Sequence, residues 1–310
     1  MAKPERTRVY QNHTIDSTRW DGFEHRAGDI VITSSYKSGT TWTQAIVANL
    51  LYPDGEFPSP VWQLSPWLDM RPPPLERILG GLEAQTGRRF IKTHLPLDAM
   101  PFDERVQYIF VGRDGRDVAM SLWNHYSHFN AAGFTSVNET PGRNGPPLPP
   151  APADVNAFFR DWCAKGWFEW EGDGHPYWSH MRTVQTWFNW RHVPNIHLLH
   201  YADLKEDTAG VIAEIAVYLG LERSPAQIAE VLERTGLDRM RADGDLYMNP
   251  ANFEGGFDTF FFKGTNGRWR DEITPENLAL YDAACERALT PECRAWMDRG
   301  AEEAAGISLS

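Results

Sequence analysis

The chain is short of cysteine: only Cys163, Cys285 and Cys293 occur among its 310 residues. An odd count without metal-ligand spacing excludes a full disulfide framework and predicts reduced thiols. No apolar run is long enough to span a bilayer. The first residues, Met1-Ala2-Lys3-Pro4-Glu5-Arg6, lack the apolar core of a signal peptide. These absences predict a cytoplasmic protein. Positive charge is scarce as well, since 30 Lys and Arg face 42 Asp and Glu for a net charge of -12. That excludes a general nucleic-acid binder but leaves room for a local basic site. Aromatic rings, by contrast, are plentiful, with 13 Trp and 16 Phe. Such rings fill a core or wall an apolar pocket. The length suits one large α/β domain or two small ones.

The most informative stretch is Ser34-Ser35-Tyr36-Lys37-Ser38-Gly39-Thr40-Thr41-Trp42. The apolar run Ile30-Val31-Ile32 before it predicts a short buried strand, and Thr43 to Leu51 after it predicts a helix. Strand, glycine turn and helix start together make an anion site, because the first N–H groups of a helix lack partners and the dipole favours negative charge. Gly39 lets the backbone approach an anion closely. Lys37 adds a charge, and Ser38, Thr40 and Thr41 add hydroxyls. The loop is not a Walker A motif, in which the lysine follows the second glycine. From Lys37 to Trp42 it is identical to the Lys-Ser-Gly-Thr-Thr-Trp loop of the sulfotransferases and resembles that family, with Tyr36 in place of a proline.

Three further stretches extend the resemblance. Arg89 to Pro96 predicts a strand ending at a proline, with Lys92 and His94 leaving on one face at its carboxyl end. Lys92-Thr93-His94-Leu95-Pro96 is identical to the family's motif, which implies that His94 is the general base. Val106 to Gly112 predicts another buried strand, followed by Arg113, which can clamp a phosphate with its planar fork. Ser121, two helical turns on, reaches the same anion if the helix lies alongside it. Arg113, Asp114, Asp117 and Ser121 fit the family's second signature, which implies contacts to a 3′-phosphate. Finally, Lys263, Gly264, Gly267 and Trp269 match the last signature, whose usual arginine is Phe262 here. By the same resemblance Tyr201 and Thr235 stand where the family contacts the nucleotide, Tyr201 after a predicted strand at Asn195–His200.

Other segments are read from composition. Residues 1–28 read as a surface lead-in to a domain at 29–310. The proline- and tryptophan-rich residues 52–73 exclude a regular element, leaving a substrate-facing loop or a packed connector. Residues 130–153 read as a mobile loop, a candidate lid. Arg270 to Pro275 only partly follows the family's dimerisation pattern, so the oligomeric state stays open.

The expected fold is one α/β domain with a mostly parallel central sheet, helices on both sides and a P-loop-like phosphate loop. The resemblance implies transfer of a sulfuryl group from 3′-phosphoadenosine 5′-phosphosulfate (PAPS) to a hydroxyl on an apolar small molecule or glycolipid. His94 would act as base, Lys37 and Lys92 would stabilise charge, and Trp42 would face the adenine. No metal is required, since the lysines and the helix dipole supply positive charge. A nucleotide or small-molecule kinase, or a non-catalytic nucleotide- or lipid-binding protein, is the alternative.

Overall fold

The computed structural model describes residues 3–262 and 264–299. Its centre is a sheet of four parallel strands: β1 (Ile30–Thr33), β2 (Phe90–Thr93), β3 (Gln107–Gly112) and β4 (Ile196–His200). Their order across the sheet is β2-β1-β3-β4. The register pairs Ile32 with Lys92 on one side and with Ile109 on the other. Strands buried on both faces read as continuous apolar runs, the pattern seen in β1 and β3. Successive residues feed two cores. Val31, Ile91, Tyr108 and Phe110 pack against the helices Gly115–Ser127, Val155–Ala164 and His180–Phe188. Ile30, Ile32, Ile109 and Val111 pack against helix α1 (Thr40–Leu51) and the helix Thr208–Tyr218.

From β1 the chain crosses to β2 on one flank, then returns to β3 on the other. The connections leaving the carboxyl ends of β1 and β3 therefore diverge, and that is where open parallel sheets bind ligands. Among the described residues no helix is long and apolar enough to cross a membrane.

Two compositional readings need correction. Of the stretch read at 1–28, the described residues are not a surface lead-in, because Tyr10, Ile15 and Trp20 are buried. Trp20 donates to Asp69, and Arg19 donates to the carbonyls of Leu68, Arg71 and Pro73. The segment is a strap closing one edge of the core. Residues 130–153 also start with regular structure: Ala131–Glu139 is a helix capped by Asn130, whose side chain accepts from the Gly133 N–H. Only the proline-rich remainder is irregular. In residues 52–73 a single helical turn, Val61–Leu64, is present.

Candidate active site

The carboxyl ends of all four strands meet in one cleft of about 1170 Å³. Its floor is the β1–α1 turn. Thr43 is the first residue of α1 to donate along the helix, to the Gly39 carbonyl at 3.0 Å. The N–H groups of Gly39 to Trp42 precede that bond at the positive end of the dipole. Gly39 is required twice over: its φ is 101°, and a Cβ there would stand 2.8 Å from Tyr201 Cδ2.

Lys37 is the only non-glycine residue with positive φ among the described residues, at 51°. Such a conformation costs roughly 1–2 kcal/mol and is kept because the surroundings impose it. Arg113 Nη1 donates to the Lys37 carbonyl at 2.9 Å. The preceding Tyr36 hydroxyl donates to the Trp178 carbonyl and accepts from Trp162 Nε1, both at 2.9 Å. The turn is thus pinned on either side of the lysine. The Lys37 ammonium lies 3.3 Å from His125 Nδ1 and 4.8 Å from the centre of the Phe260 ring.

His94 follows β2 and is buried. Its Nδ1 lies 3.0 Å from the Ser34 carbonyl oxygen. A carbonyl only accepts, so Nδ1 carries the proton and Nε2 keeps its lone pair. The Trp67 ring meets the imidazole edge-on at 4.6 Å, and Trp178 Nε1 donates to the His94 carbonyl at 3.0 Å. The Lys92 ammonium stands 5.1 Å from the Trp67 ring centre.

The electrostatics share one cause. Burial, then the neighbouring Lys92 and Arg113, push the Lys37 ammonium down to about 7. Burial pushes Lys92 down to about 8, with Asp69 opposing. His94 and His125 are held well below the usual histidine value by burial first and by the lysines after it. Positive charge is disfavoured here while the walls are the only company, so an anion would gain by entering.

On the other flank Arg113 Nη2 donates to the Thr265 carbonyl at 3.2 Å and to Asn266 Oδ1 at 3.0 Å, tying the last loop to β3. Its guanidinium lies 4.2 Å from the centre of the Tyr201 ring. Asp117 Oδ1 accepts the Gly267 N–H at 2.7 Å, and burial raises this carboxyl to about 6.

Of the residues singled out in the sequence, Lys37, Gly39, Thr40, Thr41, Trp42, Lys92, His94, Arg113, Ser121, Tyr201, Thr235 and Gly264 line this cleft. Ser38 does not, since its hydroxyl turns back to donate to the Tyr36 carbonyl at 3.0 Å. Lys263 lies outside the described residues. Phe262 lies under Arg268, whose Cζ is 5.0 Å from the ring centre, and Arg268 reaches the cleft. The sequence reading missed His125, although it sits one turn beyond Ser121 on the same helix face. It also missed the opposite wall in detail: Thr14, Trp62, Trp67, Met70 and Pro72 to Pro74 line it, together with Phe129, Val137, Leu148, Phe253 and Phe260. The tryptophan- and proline-rich connector is therefore cleft-facing.

Comparisons with known proteins agree with this arrangement. A glycolipid sulfotransferase of Mycobacterium bovis is 32% identical over 316 residues, covering 94% of each chain. The structure of mouse sulfotransferase SULT7A1 complexed with PAP matches with a TM-score of 0.67 at 20% identity, covering 91% of each chain. That of retinol dehydratase, in complex with androsterone and the inactive cofactor PAP, matches with a TM-score of 0.63 at 23% identity, covering 88% of this chain and 84% of that one. The sequence profile of the sulfotransferase domain matches residues 27–297, and the chain belongs to the sulfotransferase family.

Proposed function

We propose that this sulfotransferase moves a sulfuryl group from PAPS to the hydroxyl of an acceptor with an apolar body, a glycolipid by class. The observation that carries the reading is the pairing of His94 Nε2, left with its lone pair by the Ser34 contact, with Lys37 and Lys92 in one cleft. The residues present suit the donor substrate. The β1–α1 turn offers backbone N–H groups, Lys37 and the hydroxyls of Thr40 and Thr41 to a 5′-phosphate. Arg113, Ser121 and Arg268, which all line the cleft, are available to a second phosphate, and Trp42 and Tyr201 offer ring faces for a base. The glycolipid class draws support from the apolar wall and from the relative named above.

In the proposed reaction His94 Nε2 takes the acceptor hydroxyl proton as that oxygen bonds to sulfur. The bond from sulfur to the phosphate oxygen breaks, and the negative charge arrives on adenosine 3′,5′-bisphosphate beside Lys37. Lys92, on the same side as His94, faces the sulfuryl oxygens. Charge that grows in the transition state is where fixed cations act most. We place the protein in the cytoplasm, since its three cysteines are free and buried.

The test is His94→Gln, which keeps a polar side chain and removes the base. Turnover of PAPS with an alkyl glycoside should fall at least ~10²-fold, as for loss of a positioned base, while binding of adenosine 3′,5′-bisphosphate persists. A variant retaining more than about a tenth of wild-type turnover removes His94 from the role.

A further inference from the structure

His125 stands on the helix Gly115–Ser127 and lines the cleft, with its ring 4.5 Å from that of Phe253 and 5.8 Å from that of Phe260. Its Nδ1 is 3.3 Å from Lys37 Nζ. A protonated Lys37 only donates, so in that state this imidazole nitrogen accepts. The partner of the lysine is therefore a neutral base, which helps to hold the charge without cancelling it. A carboxylate in the same place would compete with an incoming anion for Lys37. The Phe253 and Phe260 rings, themselves 5.9 Å apart, pack together against His125 and limit its freedom to turn away. His94 and His125 thus keep opposite tautomers in one cleft: His94 donates through Nδ1, whereas His125 accepts there.

We propose that His125 is a positioning residue for sulfuryl transfer: its Nδ1 accepts from the protonated Lys37, favouring the charged form, and aims that side chain into the cleft beside the β1–α1 turn. The role rests on the reading of Lys37 as the cation for the departing phosphate. Lys37 is also faced by Lys92, Arg113 and the Phe260 ring, and His125 by Lys92, His94 and His128. The cations all oppose charge on Lys37, whereas the acceptor at Nδ1 and the face of the Phe260 ring favour it. Burial holds His125 itself neutral, as this role requires.

Three variants separate positioning from bulk. His125→Phe keeps a ring against Phe253 and Phe260 and removes the acceptor. His125→Asn places an amide oxygen where Nδ1 stood, and His125→Gln carries its amide out to the position of Nε2. Turnover of PAPS with octyl glucoside is measured at saturating donor, and the dissociation constant of adenosine 3′,5′-bisphosphate by calorimetry. His125→Phe should lower turnover about tenfold, the size of one lost hydrogen bond to a charged group, with a smaller change in nucleotide affinity. Asn should restore most of the rate and Gln should not. The chain has six lysines, so 13C labelling lets the Lys37 ammonium be titrated directly. Its midpoint should fall by about one pH unit in His125→Phe and stay put in His125→Asn. Equal rates and equal midpoints for Asn and Gln overturn the proposal, whether or not the Phe variant folds. A wild-type protein that fails to turn over PAPS would instead refute the proposed function, and the lysine titration would still decide the place of His125.

Discussion

Binding of the donor should take up protons, because two buried lysines in the cleft are held below their ordinary values. Lys37 is pushed down to about 7 and Lys92 to about 8 in the cleft without an anion. At pH 8 Lys37 is then ~10% protonated and Lys92 ~50%, by the ordinary titration relation. An anion within reach of both restores the charged forms, so each nucleotide bound should take up ~1.4 protons at pH 8. At pH 6 both ammonium groups are already formed, and the uptake from them should drop to ~0.1. The sign follows from the direction of the shifts: groups depressed when alone and raised by the ligand make affinity fall as pH rises. Near pH 8 the loss should be roughly 25-fold per unit, the antilogarithm of the uptake. The phosphates of the nucleotide contribute little there, since their second ionisation lies near pH 6. The assay is calorimetric titration of adenosine 3′,5′-bisphosphate in two buffers of different ionisation enthalpy. Lys37→Met should cut the uptake at pH 8 from ~1.4 to ~0.5 and leave the Lys92 share. An uptake below ~0.3 in the wild type, or one unchanged by Lys37→Met, would show that these lysines stay charged without a ligand and would refute the electrostatic account of the cleft.

Other outcomes are equally open to measurement. Gly39→Ala must place a Cβ at φ 101° and 2.8 Å from Tyr201 Cδ2, and strain of about 1–3 kcal/mol should cost ~10-fold or more in nucleotide affinity; calorimetry showing wild-type affinity contradicts the turn's role. Arg113→Lys keeps the charge but loses the fork that holds Lys37 and the last loop. Binding of adenosine 3′,5′-bisphosphate should weaken about ten- to a hundredfold, more than that of adenosine 5′-phosphate, and equal losses would make Arg113 purely a tie between loops. Arg268 has only Glu272 as an ion-pair partner among the described residues, at 4.0 Å. Arg268→Ala should therefore reduce affinity for the bisphosphate and flatten its salt dependence, and an unchanged salt dependence would remove it from the phosphate site.

What could be read from the sequence was what local chemistry writes down. The glycine turn after β1 and the strand ends at Lys92 and Arg113 are each signalled within a few residues. The strap at residues 10–20 was hidden because its burial comes from partners 49 to 54 positions away, which no periodicity records. The helix Ala131–Glu139 was masked by small and polar residues. It forms because Asn130 caps it and its start packs on Phe129 and Asn252. His125 carried the right spacing from Ser121, yet its meaning depends on Lys37, 88 residues earlier in the chain. Phe262 was recognisable as a departure from the family's pattern, but the position of Arg268 above its ring was not.

The two sides of the cleft differ in how freely they can change. The side proposed for the nucleotide is made of tight turns at strand ends, where one residue inserted would displace Lys37 or Arg113 from its partners. The side proposed for the acceptor is made of the long connectors between α1 and β2 and beyond the helix Gly115–Ser127, plus the stretch around Phe253. Lengthening such connectors costs little, on the order of 0.6 kcal/mol per doubling. Divergence among relatives should therefore concentrate on the acceptor side. The same scaffold could then trade one alcohol for another over evolutionary time, or in a directed library, while the chemistry at the strand ends is inherited untouched.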